Sequence, residues 1–432
     1  MKIATSIDKH ESTRHQRPSS LLFLWFTSNM QLTTIITGAL AVTLHVPLPS
    51  ALVGIILGNV IGGLLMALHS TQGPQLSAPQ LIMTRKLFGN LGSLLPFTVF
   101  TLMYVGFYAT TSTIGGQLLS QYTHVPFWLS VVTINIFTIV PIYTDGQFIR
   151  FVQNYLAYIF FITFLYLTFS LHLHNRPLLL QPISSHLSLV SVLIMMSIVV
   201  TWQISYTPYV SDYSRLLTAN SSRWRVLWFT AIGTIFSSVW MMSLGAVAAW
   251  SGVSNNEITN GKFLFTMIPS FIKVPIIIVL ISGMIIVNSF NLYGAYISIT
   301  AIFFLGHKSE NHQRLMKLAI LTMLCTGIAL WGENNFMLKY SAFLNILVYF
   351  LIPWSVLTLL HNYFRSQTKR RHEPFMHFLV YLSSVLIEFC AMIISQWFHG
   401  AQLFSIIIWV IGMVSSIALY FLGNIILSKA KL

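Results

Sequence analysis

Apolar residues along the chain gather into long runs that are separated by short polar segments. Twelve runs are long enough to cross about 30 Å of hydrocarbon as α-helices. They cover residues 21–44, 50–68, 93–120, 126–143, 152–172, 188–208, 226–250, 275–305, 315–331, 338–361, 375–396 and 402–427. Transmembrane β-strands would instead show alternation over about ten residues. The pattern therefore predicts an all-α integral membrane protein with twelve transmembrane helices.

The composition agrees with this architecture, because 55% of the 432 residues are hydrophobic and 7% are charged. Soluble domains carry about 25% charged residues, so the chain lacks the polar surface of a large soluble protein. Residues 1–20 are polar, and the run that follows is too long for the apolar segment of a signal peptide. We expect this run to stay in the protein as the first helix.

The distribution of positive charge predicts the orientation of the chain. Of the 23 Lys and Arg residues, 19 lie in the two terminal tails or in loops that follow even-numbered helices, and four lie elsewhere, at Arg176, Lys262, Lys273 and Lys339. This asymmetry is the positive-inside rule, and it predicts an inner-membrane protein with both termini in the cytoplasm. It also explains the net charge of +14 without a nucleic-acid partner. The run 369–371 belongs to the same bias, with lipid head-group contact as an alternative.

Several classes of chemistry have no motif in the sequence. Cys325 and Cys390 fall within predicted helices and form no CxxC pair, so we expect neither a disulfide nor a metal site. The fourteen histidines show no HExxH spacing, and no cofactor is predicted. The chain also has no GxxxxGK[ST] phosphate-binding loop. The sequence therefore favours a transporter driven by a gradient over an enzyme or an ATPase.

Two predicted helices carry polar residues at a depth where hydrocarbon is expected. The first reads WFTSNMQLTTIITGAL and contains Asn29 and Gln31. The sixth reads TWQISYTPYVSDYSR and contains Gln203, Ser205 and Pro208. Proline removes a backbone donor and clashes with the preceding turn, and interrupted helices of this kind mark the binding sites of many transporters. We therefore predict that both helices are broken in the membrane.

The two interrupted helices are five helices apart, and so are the long third and eighth helices. This spacing predicts two five-helix repeats, the second inverted, because an odd number of spans reverses the direction of the chain. The predicted units are the cytoplasmic tail 1–20, the repeats 21–172 and 188–361, the appended helices 375–427 and the cytoplasmic tail 428–432.

Amide side chains are concentrated on the repeat-related helices. Asn29, Gln31, Gln203, Asn288 and Asn291 are costly to bury in a membrane without a partner or a cavity. Hydrogen bonding between helices is the alternative explanation, but the clustering favours a substrate site.

Two further features of the predicted helices are a glycine stripe and a single acidic residue. Gly54, Gly58 and Gly62 form a small-residue stripe that predicts close packing of the second helix. Glu388 is the one acidic residue well inside a span. It is either a proton carrier or, because it lies outside both repeats, a residue of a helix interface.

Four segments resemble one known family. They are WFTSNMQLTTIITGAL in the first helix, GPQLSAPQLIMTRKLFGNLGSLLP at residues 73–96, SDYSR at 211–215 and NSFNLYGA at 288–295. Together they are similar to the nucleobase:cation symporter-1 family, in its bacterial purine–cytosine permease branch. The resemblance implies a LeuT-like fold of five plus five helices with two appended. It also implies cation-coupled import of cytosine, a purine or a related heterocycle.

The resemblance also suggests individual contacts. The family often has an aromatic residue after a glycine in the third helix, which corresponds here to Gly106 followed by Phe107 and Tyr108. A flat heteroaromatic ring stacks on such a residue, and carboxamides read its edge at two points. The implied substrate-binding residues are Phe107, Tyr108, Trp202, Gln203, Ser205, Asn288 and Asn291, and the clustered amides add Asn29 and Gln31.

The coupling cation is predicted from a departure from the family. Sodium-coupled relatives carry hydroxyl residues just before the Asn motif of the eighth helix, where this chain has Ile286 and Val287. Aliphatic side chains offer no oxygen ligand, so the sequence favours H⁺ over Na⁺. A shift of one helical turn would bring Ser282 or Ser289 to these positions instead.

The end of the sixth helix combines the predicted break with a charged pair. Pro208 belongs to the broken segment, whereas Asp212 and Arg215 are expected at the cytoplasmic interface as an anchor or gate latch. Three residues apart on a helix, they are placed to pair. Asp212 is therefore not predicted as a substrate ligand.

The alternatives that remain concern the substrate and the class of protein. A hydroxymethylpyrimidine thiamin precursor, allantoin or a hydantoin is an alternative to a nucleobase, and an amino-acid transporter also remains. A membrane sensor without transport and a channel are the other classes. The predicted partners are thus a small heterocycle and the lipid bilayer, and the sequence leaves the oligomeric state open.

Overall fold

The computed structural model describes residues 17–143, 147–174, 187–251, 269–303, 311–364, 373–397 and 407–429. The predicted cytoplasmic tails therefore lie mostly outside the described residues, as does the basic run 369–371.

The described residues form fifteen helices. They are α1 Ser20–Asn29, α2 Leu32–Thr43, α3 Leu48–Leu76, α4 Gln80–Gly92, α5 Leu94–Thr123, α6 Phe127–Tyr143, α7 Gln147–His174, α8 Leu189–Ile204, α9 Thr207–Ser214, α10 Arg223–Trp250, α11 Ser270–Phe303, α12 Asn311–Gly332, α13 Phe336–Phe364, α14 Glu373–Trp397 and α15 Ile408–Lys429.

These helices are consistent with the twelve predicted spans. Within the described ranges, nine helical segments are long and apolar enough to cross a membrane, with α8 and α9 counted as one. The remaining predicted spans coincide with α1 and α2 together, with α6 and with α7. The helix α4 was not predicted, because the sequence analysis assigned its residues to the loop between the second and third spans.

The outer surface of the bundle is apolar. Phe236 is 57% exposed, Ile278 is 59% exposed and Met323 is 73% exposed, although each lies at least two turns inside a long helix. Water would penalise such a surface, whereas lipid tails solvate it. The fold is therefore that of a multi-pass membrane protein.

The glycine stripe of α3 lies directly against α8, as predicted. A Cβ atom built on Gly58 would lie 2.8 Å from Cβ of Val199, and one built on Gly62 would lie 2.7 Å from Cβ of Gln203. Atoms in real structures do not approach so closely, so only glycine permits this distance between the two backbones. The stripe places the sixth span, which carries α8, beside α3.

The two appended helices pack on α13 and on each other. Nδ1 of His361 in α13 lies 3.7 Å from Oε1 of Glu373 at the start of α14. The ring of His377 stacks on Tyr420 of α15, with 5.4 Å between the ring centroids. Glu388 is fully buried between α14 and α15. It therefore lies in a helix interface, which is the alternative to a role in proton transfer.

Candidate substrate site

The first predicted helix is broken where its polar residues occur. The helix α1 ends at Asn29, Gln31 adopts an extended backbone with φ −146° and ψ 159°, and α2 starts at Leu32. The side chain of Gln31 folds back so that Nε2 donates to the carbonyl of Ser28, at 2.9 Å. One carbonyl at the end of α1 is thereby satisfied without water, as a membrane interior requires.

The break in the sixth helix results from Pro208, the second residue of α9. Proline has no N–H to donate to the carbonyl of Ile204 four residues earlier. The hydroxyl of Thr207 donates to this carbonyl instead, at 2.6 Å. The pair Thr207-Pro208 therefore separates α8 from α9 and leaves no unsatisfied carbonyl at this position.

A cavity lies beside the two breaks and is closed by α5 and α11. The space between its side chains, including its open end, measures about 360 Å³. The described residues that line it are all uncharged: Gln31, Thr33, Met103, Phe107, Thr111, Trp202, Ser205, Tyr206, Tyr209, Val287 and Asn291.

Aromatic rings form much of the cavity wall. Phe107 meets Trp202 edge to face with 5.7 Å between centroids, and it meets Phe343 of α13 in the same way at 5.1 Å. Tyr206 lies edge to face against both Trp202 and Tyr209, at 6.0 Å and 5.7 Å. The wall thus presents several ring faces to a flat ligand.

Polar atoms without a protein partner also face this space. Oε1 of Gln31 and Oγ1 of Thr33 are buried and form no hydrogen bond with the described residues. The amide of Asn291, which is 6% exposed, lines the cavity together with these two side chains. Buried polar groups are normally paired, so these groups are available to a ligand.

The cavity contains five of the nine predicted substrate-binding residues. They are Gln31, Phe107, Trp202, Ser205 and Asn291. The hydroxyl of Ser205 donates to the carbonyl of Thr201 at 2.7 Å, so its oxygen is left as an acceptor.

Asn29 does not line the cavity but holds two residues that do. Its Oδ1 accepts from Nε1 of Trp202 at 3.0 Å and from the hydroxyl of Tyr206 at 3.1 Å. Its Nδ2 donates to the carbonyl of Trp25 and to Thr234 of α10. With all these bonds made, the amide has no donor or acceptor left for a substrate. The prediction that Asn29 contacts the substrate is therefore corrected: it supports two residues that line the cavity.

Three other predicted contacts also lie outside the cavity wall. Gln203 donates to Asn59 of α3 at 2.7 Å and to Ser238 of α10 at 3.1 Å. Asn288 donates to Ser112 of α5 at 2.9 Å. These two amides join helices, which is the alternative that the sequence left open. Tyr108 is fully buried in a hydrophobic cluster and does not line the cavity.

The cavity also contains residues that the sequence reasoning missed. Met103 and Thr111 lie one helical turn before and after Phe107, and Val287 lies one turn before Asn291. Residues four apart share a helix face, so this periodicity would have found all three. Tyr206 and Tyr209 belong to the broken segment itself and were overlooked among its smaller polar residues.

A neighbouring void lies between the break in α1 and the middle of α11. Thr27, Ser28, Met30 and Gln31 line it on the α1 side. On the α11 side it meets Gly283, Ile286, Val287 and Phe290. Ser282 and Ser289, the alternatives one turn away, bond to carbonyls of Ile278 and of Thr138 and Ile285. The α11 wall of this void is therefore made of hydrocarbon.

Asp212 and Arg215 lie at the end of α9, away from the cavity wall. Oδ1 of Asp212 accepts the backbone N–H of Gln80 at 3.2 Å. Nε of Arg215 donates to the backbone carbonyl of Asp212 at 3.3 Å. The two side chains therefore bond to backbone groups rather than to each other, and the bond between Asp212 and Gln80 ties α9 to the start of α4.

The sequence and the fold were compared with known proteins. Residues 8–412 match the family of permeases for cytosine and purines, uracil, thiamine and allantoin. YxlA of Bacillus subtilis, named as a candidate purine-cytosine permease, is 31% identical over 94% of this chain and 92% of its own length. The purine-cytosine permease FCY2 of Saccharomyces cerevisiae is 22% identical over 54% of this chain and 45% of its own length.

Two solved structures show the same fold at low identity. The inward-facing conformation of Mhp1 superimposes with a TM-score of 0.69 at 15% identity, over 97% of this chain and 92% of Mhp1. An outward-open Na⁺-coupled sialic acid symporter superimposes with a TM-score of 0.66 at 14% identity, over 95% and 90% of the two chains. The chain is thus a membrane permease rather than an enzyme, and it belongs to the nucleobase:cation symporter-1 family.

Proposed function

We propose that this permease imports a nucleobase, cytosine or a purine, by cation-coupled alternating access. The observation that carries the proposal is the combination of ring faces, the unpartnered amide oxygen of Gln31 and the amide of Asn291 in one cavity with an uncharged lining. A neutral heteroaromatic base needs no charged partner, whereas an amino acid would need groups for its ammonium and carboxylate. This supports a base over an amino acid.

In the proposed complex the base stacks on the aromatic wall and is read along its edge. Phe107 and Trp202 supply the ring faces, and stacking of a base contributes about 1–3 kcal/mol. The amide of Asn291 offers one donor and one acceptor, which matches the alternating edge of a nucleobase. Oε1 of Gln31 adds an acceptor on the opposite side of the break.

Other flat heterocycles fit the same chemistry. A hydroxymethylpyrimidine thiamin precursor, allantoin and a hydantoin also present alternating donors and acceptors, and the family includes permeases for thiamine and allantoin. A ring with a full aromatic face gains most from Phe107 and Trp202, so cytosine and purines are the first candidates.

We further propose that the coupling cation is H⁺. Sodium is a hard cation that requires several oxygen ligands, and the void beside the break in α1 meets Ile286 and Val287 on its α11 side. The two nearby serines, Ser282 and Ser289, do not line this void. We place the permease in the inner membrane with both termini in the cytoplasm, following the distribution of Lys and Arg.

The direct test of the substrate class is a thermal-shift screen of the purified protein. Pyrimidines, purines, hydantoins, allantoin and thiamin precursors are compared at equal concentration. A ligand that binds the folded state at 100 times its Kd stabilises it by about 2.7 kcal/mol, so a nucleobase is expected to raise the Tm most. A larger increase in Tm with a non-aromatic compound, such as allantoin or a hydantoin, would contradict the proposal.

A further inference from the structure

Three side chains of types that bind metal ions meet where α13 ends and α14 begins. One ring nitrogen of His361, one ring nitrogen of His377 and one carboxylate oxygen of Glu373 all lie within 4.8 Å of one another. His361 is in the last turn of α13, Glu373 is the first residue of α14, and His377 follows four residues later. Residues four apart share a helix face, so α14 directs two side chains at the end of α13.

This three-residue cluster is separate from the substrate site. None of its residues is among those that line the cavity. The chain between α13 and α14 contains the basic run 369–371, so we place the cluster at the cytoplasmic side of the membrane. An ion bound there would therefore be neither the substrate nor the coupling cation.

The two imidazoles are buried and held by ring contacts. His361 is 5% exposed and His377 is 2% exposed. The ring of His377 stacks on Tyr420 of α15 with 14° between planes, and it meets the ring of His361 edge to face with 5.0 Å between centroids. These contacts restrict rotation of both rings, so little side-chain entropy remains to be lost when an ion binds.

The third side chain is accessible from outside. The side chain of Glu373 is 15% exposed. A metal site needs an entry path for the ion, and this opening supplies one. It also leaves room for a water molecule as a fourth ligand.

The measured separation fits a small divalent ion. Zinc holds His nitrogen and carboxylate oxygen at about 2.0–2.2 Å, and tetrahedral geometry then places two ligand atoms about 3.4 Å apart. Nδ1 of His361 and Oε1 of Glu373 are 3.7 Å apart. Small rotations of the side chains bring the remaining pairs to the same separation.

An ion pair between a histidine and Glu373 does not account for the whole cluster. One protonated imidazole is sufficient to pair with this carboxylate, and His361 is in place to do so. A second imidazole adds nothing to such a pair, and if protonated it would place two positive rings 5.0 Å apart. Two imidazoles and one carboxylate are instead a ligand set that is known from zinc sites.

We propose that His361, Glu373 and His377 bind a divalent transition-metal ion, with Zn²⁺ as the best fit, and that this ion joins α13 to α14. Imidazole ligands select such ions, whereas Mg²⁺ prefers sites made of oxygen. The ligands come from two helices and form no short motif, which is why the sequence predicted no metal site.

The consequence of the ion would be mechanical. The helix α13 ends the second repeat and contacts the cavity wall, since its Phe343 packs against Phe107. The helix α14 belongs to the appended pair. The ion therefore fastens the appended helices to the transport core. This inference does not depend on the identity of the substrate.

The test uses the full chain in detergent, purified without a polyhistidine tag and stripped of metal by a chelator. Zn²⁺ is titrated by calorimetry, and Tm is measured with Zn²⁺ and with Mg²⁺ at equal concentration. We expect one tightly bound Zn²⁺ per chain and a Tm that rises with Zn²⁺ alone. An equal rise with Mg²⁺, or affinity for Zn²⁺ no tighter than millimolar, would overturn the proposal.

Two variants each remove one ligand. Glu373→Gln keeps the shape of a partly exposed side chain, and His377→Gln keeps a polar group. In both we expect the affinity for Zn²⁺ to fall at least about tenfold and the rise in Tm to disappear. His124→Asn removes an exposed histidine and is expected to bind Zn²⁺ as the wild type does. Wild-type affinity in either ligand variant would refute this ligand set.

X-ray absorption spectra of the zinc-loaded wild type cover the case in which the variants do not fold. We expect nitrogen and oxygen ligands only, with the scattering signature of two imidazoles. A sulfur ligand, or fewer than two imidazoles, would refute the site. None of these measurements uses a transported substrate, so their failure would leave the nucleobase assignment intact.

Discussion

Among single residues, Asn291 gives the simplest test of the proposed complex, because it lines the cavity on α11 and carries both a donor and an acceptor. Asn291→Ala removes both its donor and its acceptor. A two-point contact with a base contributes about 1–3 kcal/mol, so we expect affinity to fall at least tenfold with no loss of folded protein. Isothermal titration measures this, and wild-type affinity would refute the assignment.

The matched control is Asn288, which lies one turn earlier on the same helix and bonds to Ser112. Asn288→Ala is expected to lower the Tm, because it leaves a helix-joining bond unmade, but to change the affinity of the folded protein less than threefold. A drop as large as that of Asn291→Ala would show that both amides touch the substrate.

Phe107 tests the stacking part of the proposed complex. Phe107→Ala removes a ring face from the cavity and is expected to weaken nucleobase binding by about 1–3 kcal/mol. Phe107→Trp retains a ring face and is expected to bind within a few-fold of the wild type. Equal losses in the two variants, measured by titration, would mean that shape rather than stacking is read at this position.

Residue roles were only partly predictable from the sequence. Asn29, Gln203 and Asn291 are all amides on core helices, and composition alone does not distinguish them. What separates them is rotation about the helix axis: Asn29 and Gln203 face α10, whereas Asn291 faces the cavity. That rotation is fixed by packing against other helices, and the identity of a single residue does not determine it.

At the level of helices, the breaks could be predicted because they have local causes. Pro208 lacks a donor wherever it is placed, and a polar cluster as dense as Ser28, Asn29 and Gln31 is costly in hydrocarbon without a break or a cavity. The helix α4 was not predicted. Its sequence is too polar for a span, and its stability comes from contacts with distant segments such as Asp212 and Ala301.

The packing of α3 on α8 gives a prediction about stability. Gly62→Val would place a Cβ where only 2.7 Å separates it from Cβ of Gln203. Overpacking of this kind costs about 1–3 kcal/mol, so we expect a lower Tm and impaired transport. Gly327→Ala is the control, because no atom lies within 4 Å of the added methyl group. A Gly62→Val protein as stable as the control would show that the two helices separate freely.

For the whole molecule, the fold was predictable because the membrane restricts the choice. Twelve apolar runs and a five-helix spacing predicted the spans and two inverted repeats, and the resemblance to the symporter family implied the LeuT-like fold; the chain superimposes on Mhp1 with a TM-score of 0.69. The fold does not identify the substrate, since transporters of different substrates share it. Its class was inferred from side chains that converge from α2, α5, α8 and α11, and this convergence is a property of the tertiary structure.

The central claim is that the chain moves a nucleobase and couples the movement to protons. It is tested most directly by uptake of radiolabelled cytosine and of a labelled purine into proteoliposomes, with either a pH gradient or a Na⁺ gradient imposed. We predict saturable accumulation above the outside concentration with the pH gradient, and counterflow when the vesicles are preloaded with substrate. Binding without accumulation would indicate a sensor, unsaturable flux a channel, and accumulation that requires Na⁺ and ignores pH would contradict the proton coupling.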